Sequence, residues 1–357
     1  MNSDPEPPNL LGMLPEDLVA HLADAGERCG LDEARRVLAH IISGGADDLA
    51  MKRPVRRTMA NTIESTTSRR RLEVVDRIRD PGDDSVRYLL RSPDGALSEA
   101  VLIPLHKAGR FSACLSSQVG CAMACDFCAT GRLGLSRNLE AWEIVAAFCT
   151  LRDEADGRVS GAVFMGQGEP FHNYDHVIQA ARVLTHPCGG RIAQEAVSIS
   201  TVGLVPQIRR FTAEGHRFRL LISLTSAVPE RRVDLLPVAG RYPLEALADA
   251  IREHQASRGG RVTVAWVLMG GVNTGADEVA ALRELLEGVP IRLDLIDVND
   301  ARSEAEGGYR RAGDDERDGF FDALQILRVP IVRRYSVGRA QNSACGMLAS
   351  KARDVAT

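Results

Sequence analysis

Aromatic residues make up only 4% of this 357-residue chain, and lysine is nearly absent, occurring at Lys52, Lys107 and Lys351 alone. Arginine fills every other basic position. Such a bias is read as one of base composition, and no function is taken from it. No run of about 18 apolar residues occurs, which excludes a membrane-spanning helix. The opening stretch, MNSDPEPPNLLGMLPEDL, lacks a basic segment followed by an apolar one, so no secretory signal is expected and the cytoplasm is the expected location. Positive charge is not in excess either. The formal net charge is −4 and the pI about 6.1. That is not the bulk signature of a nucleic-acid binder, although a local basic patch would serve. Disulfides are rare as staples in the cytosol, so clustered cysteines there point to metal or redox chemistry.

The apolar fraction of 45% and charged fraction of 26% are those of a soluble globular protein. Residues 1–17 are polar and Pro-rich and read as a loose start. PEDLVAHLADAG and LDEARRVLAHII then show helical spacing of apolar residues. Arg53, Arg56, Arg57, Arg69, Arg70 and Arg71 follow, as either a solvated face or a phosphate-contacting patch. VRYLLRSPDGALSEAVLIP reads as a hairpin turned at SPDG.

Beyond residue 110, strand and helix patterns alternate. The strand candidates are FSACLS, VSGAVFM, AVSIST, RFRLLISL, RVTVAWVLM, IRLDLIDV and VPIVRRYSV. Repeated units of this size imply an α/β fold with a mostly parallel sheet curled toward a partial or full barrel. Chemistry in such folds sits at the C-terminal strand ends. Both CLSSQVGCAMACDFC and MGQGEP fall just after expected strands, and so belong on that rim.

Cys121, Cys125 and Cys128 form C-x3-C-x2-C. A zinc site usually wants four ligands, often as paired C-x2-C elements, and no second pair exists. Three close thiolates suit a [4Fe–4S] cluster with one iron left open, since such clusters are held by cysteines at short spacings. The alternatives at this point are zinc and buried core cysteines. In GQGEP, Gly166 and Gly168 would permit close backbone approach, and Glu169 could accept hydrogen bonds from an amine.

The cysteine motif, with Phe127 before its last thiol, resembles that of the radical S-adenosylmethionine (SAM) superfamily. A closer resemblance, to the RlmN and Cfr type of RNA methyltransferase, is carried by CLSSQVGCAMACDFCATGRLGLSRNLEAWEI, MGQGEP, VSISTVGLVP, LISLTSAVPERRVDLLPV, RVTVAWVLMGGVN and SACGML, in order over nearly the whole chain. It implies a partial (β/α)6-type radical SAM barrel at residues 111–340. A helical accessory domain at 1–85, a linking hairpin at 86–110 and a C-terminal segment at 341–357 complete the expected organisation.

The resemblance also implies the cofactors, a [4Fe–4S] cluster on Cys121, Cys125 and Cys128, and SAM. The expected SAM contacts are Gly168, Glu169, Ser200, Ser223 and Asn299. In the family one SAM methylates a cysteine, and a second is cleaved to a radical that takes hydrogen from the new methyl group. The resulting methylene radical adds to an adenine carbon, and a second cysteine resolves the adduct through a disulfide. Carried over, Cys345 is the methyl carrier and Cys114 the resolving thiol. Glu99 aligns with the family's proton acceptor when two residues are inserted between Pro104 and Cys114. An electron-poor aromatic carbon is a poor target for ordinary polar transfer, which is why a cofactor carries the hard step. Cys29, Cys149 and Cys188 are expected to have no role, with Cys149 in a helix core.

This sequence departs from the family pattern at Gln167, Thr225, Ala265-Trp266, Gly270, Thr274, Asp297, Val298 and Asp300. Its segment 300–318 carries seven acids against four bases, and an acidic loop repels the phosphates that dominate RNA affinity. Two substrate readings follow: an adenine carbon, C2 rather than C8, in ribosomal or transfer RNA, or the same dual-cysteine chemistry on a small adenine metabolite, peptide or natural product. A catalytically dead iron–sulfur sensor is disfavoured, because it has no need of Cys114 and Cys345. The remaining expectations are a reducing partner such as flavodoxin or ferredoxin, no membrane contact, and a monomer.

Overall fold

The computed structural model describes residues 6–334 and 346–348. Strand β1 (Glu73–Arg79) pairs antiparallel with β2 (Val86–Arg91), which pairs antiparallel with β3 (Leu97–Pro104). The β2–β3 turn is the expected hairpin. β3 pairs antiparallel with β4 (Arg110–Leu115). A small antiparallel pair, β5 (Gln118–Gly120) and β6 (Leu135–Asn138), brackets the cysteine loop. Then β7 (Arg158–Phe164), β8 (Val197–Thr201), β9 (Arg219–Ser223), β10 (Val262–Leu268), β11 (Ile291–Asp297) and β12 (Ile331–Arg334) extend the sheet from β4 in parallel. Among the described residues this sheet has ten strands in the order β1-β2-β3-β4-β7-β8-β9-β10-β11-β12, with β1 and β12 at its edges. The barrel is therefore partial, as the α/β pattern and the resemblance implied.

Three helices precede the sheet: α1 (Pro15–Asp24), α2 (Leu31–Leu38) and α3 (Arg57–Thr66). Pro15 opens α1, where its missing N–H is no loss, and Asp17 accepts from the Leu14 N–H at 2.8 Å. The start is not loose from Leu10 onward, since Leu10 and Leu11 are fully buried. The apolar faces of these helices join the same core as the barrel's outer face. β1 also modifies the expectation of a purely helical N-terminal region, because residues 73–79 form the sheet's edge.

α4 (Ala129–Leu133) follows the cysteine loop, and α5 (Ala141–Glu154) covers β3, β4 and β7. Glu143 accepts from the Glu140 N–H at 2.8 Å and caps α5, which carries the buried Cys149. α6 (Tyr174–Thr185), α7 (Val205–Ala213), α8 (Pro229–Leu235), α9 (Leu244–Arg258), α10 (Ala276–Leu285) and α11 (Asp314–Leu324) alternate with the later strands. Among the described residues, no helix is long and apolar enough to cross a membrane.

The strand alternation explains why a cavity exists. Outward residues Ile199, Ile222, Trp266 and Leu295 are large and at most 1% exposed. Inward residues at the C-terminal ends include Ser200, Ser223 and Ala265. Small inward side chains leave the interior unfilled at that end, unlike a barrel packed by layers of branched residues.

Candidate functional site

One cavity at the C-terminal strand ends is lined by Cys121, Cys125, Cys128, Gly168, Glu169, Ser200, Ser223 and Asn299. The fold thus brings together the three expected cluster thiols and all five expected SAM contacts. Cys121 and Cys125 are held between β5 and α4, and Cys128 immediately precedes α4. Burial pushes the Cys121 thiol up to about 12 and the Cys125 thiol well above its ordinary value, and neighbouring thiols push both the same way. Three adjacent thiolates in such a wall need a cationic group among them, and an iron–sulfur core supplies one. Zinc fits less well. Among the described residues, no three His, Cys, Asp or Glu are placed to hold a single ion. A zinc ion needs its sulfurs converging at about 2.3 Å, whereas a cluster offers a separate iron to each thiolate.

The GQGEP turn is packed against the start of the cysteine segment. A Cβ on Gly168, whose φ is +99°, would sit 2.6 Å from the Gln118 Cβ, and one on Gly166 would sit 2.8 Å from the Ser116 nitrogen. The close approach expected of these glycines is therefore made to residues 115–118. Glu169 is 2% exposed. Its Oε1 accepts from the Phe171 N–H at 3.0 Å and its Oε2 from the Val202 N–H at 2.9 Å. Burial nevertheless raises its carboxyl to about 7. The Thr201 side chain bonds the carboxylate as well, and of about four acceptor positions on the two oxygens one is left for a further donor, so the role of amine acceptor fits.

Ser200 and Ser223 lie with their hydroxyls 3.3 Å apart. Asn299 accepts from Arg311 and donates to the Asp297 carbonyl at 3.3 Å. Thr225 is a cavity residue that the sequence reading marked only as a departure. Its φ is +63°, rare for a β-branched residue, and its buried hydroxyl has no partner among the described residues. An orphaned hydroxyl and a strained backbone at a cavity wall fit a polar ligand there.

Cys114 and Glu99 occupy the inward face a little further round. Cys114 stands opposite Val101 on β3 and Val163 on β7. Glu99 is two residues before Val101 and so shares its face. Glu99 and Arg87 form an ion pair at 3.4 Å, both at most 2% exposed on their side chains. Cys345 lies outside the described residues. Leu348, three positions after it, is 3% exposed and packs against Val101 and Cys114. The Gly346 carbonyl accepts from the Ala129 N–H at 2.8 Å, and the Leu348 carbonyl accepts from Thr130 Oγ1 at 3.0 Å.

Of the departing positions, Thr225, Ala265 and Asp297 line the cavity. Gln167 instead turns away, and its Oε1 accepts from the Glu99 N–H at 3.3 Å. Trp266 faces the helices, with its Nε1 donating to the Asn273 carbonyl at 3.2 Å. Asn273 is fully buried and ties the Met269 N–H to the carbonyls of Thr225 and Val267. In segment 300–318, five of the seven acids are already engaged. Asp300 pairs with Arg302 and Arg132, Asp314 with Arg317, Glu316 with Arg310 and Asp318 with Arg333, while Glu306 accepts from Ser303. Four of the six arginines in the N-terminal stretch are likewise in ion pairs: Arg56, Arg69, Arg70 and Arg71.

The radical SAM superfamily pattern matches residues 115–286. A probable RNA methyltransferase from Anaeromyxobacter sp. (strain Fw109-5) is 48% identical over 346 residues, covering 96% of this chain and 100% of that protein. The dual-specificity RNA methyltransferase RlmN of Geobacter sulfurreducens is 36% identical over 324 residues, covering 89% of this chain and 86% of that protein. Among solved structures, a radical SAM methyltransferase from Sphaerobacter thermophilus superposes with a TM-score of 0.86 at 30% identity, covering 96% of this chain and 99% of that one. Family members use a [4Fe–4S] cluster and SAM. With this cavity, this barrel and these relatives, the chain belongs to the radical SAM methyltransferases of the RlmN type.

Proposed function

We propose that this enzyme methylates an adenine carbon, C2 rather than C8, in RNA, with Cys345 as methyl carrier and Cys114 as resolving thiol. The observation that carries the proposal is Leu348, buried against Cys114 and lining the same cavity as the three cluster thiols. It ties the sequence just after Cys345 to the inward face of the barrel. The RNA part is supported by the relatives' names, which describe RNA methyltransferases.

When bound, the cluster on Cys121, Cys125 and Cys128 and the SAM beside it supply one-electron chemistry at an otherwise unreactive C–H bond. The chain's own residues do the rest. Glu169, Ser200, Ser223, Asn299 and the Gly168 backbone hold SAM, with Glu169 accepting from its amine. The Glu99 carboxylate, held in place by Arg87, takes the proton that leaves the adenine carbon. The Cys114 thiolate then attacks the Cys345 sulfur and breaks its bond to the transferred methylene; the electron pair stays on that carbon, which takes up a proton to become the product methyl group, and Cys114 and Cys345 are left as a disulfide. Reduction of that disulfide and of the cluster calls for a reducing compartment, the cytoplasm, and a low-potential donor such as flavodoxin or ferredoxin.

The acidic segment 300–318 gives little support to a non-RNA substrate, because most of its acids are spent on internal pairs. Surface pairs such as Arg70–Glu6 are weak, so N-terminal arginines can exchange a carboxylate for a phosphate. The test is the Cys114→Ala variant. It accumulates a covalent protein–RNA adduct under turnover conditions. Free methylated RNA at the normal yield excludes the resolving role.

A further inference from the structure

Two guanidinium groups are buried among the described residues, and one of the two has a carboxylate there. Arg87 faces Glu99. Arg232, on α8, is 2% exposed and has no carboxylate partner among the described residues. Its Nη1 donates to the Ser223 carbonyl at 3.3 Å and to that of Leu224, and its Nη2 donates to the Val202 carbonyl at 2.7 Å. Its Nε is buried without an acceptor among the described residues. Taking a cation out of water with only neutral carbonyls for company is strongly unfavourable. Some anion has to repay that cost.

The anion is identified by what lies beside α8. Leu235 is three residues after Arg232, on the same side of the helix. Its carbonyl accepts from the N–H of Asp126, the residue after Cys125, at 3.3 Å. Leu236 lines the cavity with the three thiols. Burial lowers the Arg232 guanidinium to about 10, which leaves it protonated at neutral pH, and the Cys125 sulfur acts against that lowering once it is ionised, as it is when it ligates iron.

We propose that Arg232 is the fixed counter-charge of the iron–sulfur cluster, placed on the Cys125 side of the cavity to favour the cluster's one-electron reduction. The proposal rests on the reading of Cys121, Cys125 and Cys128 as cluster ligands. In the step concerned, one electron passes from an external low-potential reductant to the cluster, and no bond in the protein is made or broken. A cluster held by three thiolates is net negative and becomes more so on reduction, and net charge is one of the quantities that set its potential. A buried cation therefore stabilises the reduced form more than the oxidised one.

A purely mechanical role, tying the ends of β8 and β9 together, is the competing account. Arg232→Gln keeps a hydrogen-bond donor and loses the charge, whereas Arg232→Lys keeps the charge and loses the fork. Both variants and the parent are reconstituted anaerobically, their iron and sulfide are counted, and their midpoint potentials are read by electron paramagnetic resonance during titration with dithionite, without SAM or RNA. The Lys variant keeps the parent's potential. The Gln variant shifts to more negative potential, and at fixed poise its reduced fraction falls roughly tenfold or more, as expected for one charge in a low-dielectric interior. A Gln variant that fails to load while the Lys variant loads fully also upholds the charge requirement. A fully loaded Gln variant at the parent's potential, a Lys variant shifted as far as Gln, or failure of both to load overturns it in favour of the mechanical tie. Loss of the cluster in Cys125→Ala is read separately and bears only on the ligand assignment.

Discussion

Replacing Glu169 by Gln removes the buried cavity carboxylate assigned to the amine of SAM. In the parent, burial holds this carboxyl at about 7 even though two backbone N–H groups bond to it. The folded-state value lies above the ordinary one, so the group is protonated on the acid side of neutrality and accepts from an amine only as pH rises through about 7. SAM affinity therefore falls about tenfold per pH unit below that point and flattens above it, following the fraction ionised. A hydrogen bond to a charged group is worth about 1.5–3 kcal/mol, or roughly one to two decades in Kd. Glu169→Gln weakens SAM binding by that factor above neutrality and abolishes the pH dependence. It also turns an amide donor toward one of the two N–H groups, at about 1–3 kcal/mol of stability for an unsatisfied buried group. Anaerobic titration calorimetry on either side of neutrality reads affinity and slope together. Parent affinity that does not change below neutrality, or a Gln variant with the parent's affinity and slope, refutes the assignment.

Cys125→Ala removes one of three thiolates, so the purified and reconstituted protein loses the visible absorbance of its iron–sulfur cluster. A cluster at full occupancy by iron analysis contradicts the ligand reading. Gly168→Ala forces a side chain onto a +99° φ with a Cβ 2.6 Å from Gln118. The backbone term of about 1–2 kcal/mol adds to overpacking of about 1–3 kcal/mol. Thermal melts then show a clear drop in Tm together with weaker SAM binding, and a parent-like Tm refutes the packing described for the turn.

The parallel strands and the cluster loop were legible because their signals are local. VTVAWVL is a nearly continuous β-branched and apolar run, as a parallel strand covered on both faces should be, and three cysteines at short spacing announce a site without help from the fold. β1 was not legible, since EVVDRIR is an edge strand with charges on both faces and with four of its seven residues exposed. β5 is only three residues long and takes its strand form from β6 across the cysteine loop. Buried polar residues were hardest to read. Arg232, Asn273 and Gln167 find partners dozens of residues away, and nothing in their neighbourhoods announces which carbonyl or N–H they will meet. For the same reason, an excess of acids at 300–318 read as a repelling loop, whereas most of them turn out to be matched by bases that the fold brings alongside.

The central claim is that Cys345 carries a methyl group from SAM to RNA. The measurement that meets it most directly is mass spectrometry of RNA and small molecules after reaction with methyl-labelled SAM, run on the parent and on Cys345→Ala. The account predicts label on adenine in RNA with the parent. With the variant it predicts intact cluster, continued SAM cleavage and no label. Label found only in a metabolite or peptide, or methyl transfer by the variant, contradicts it.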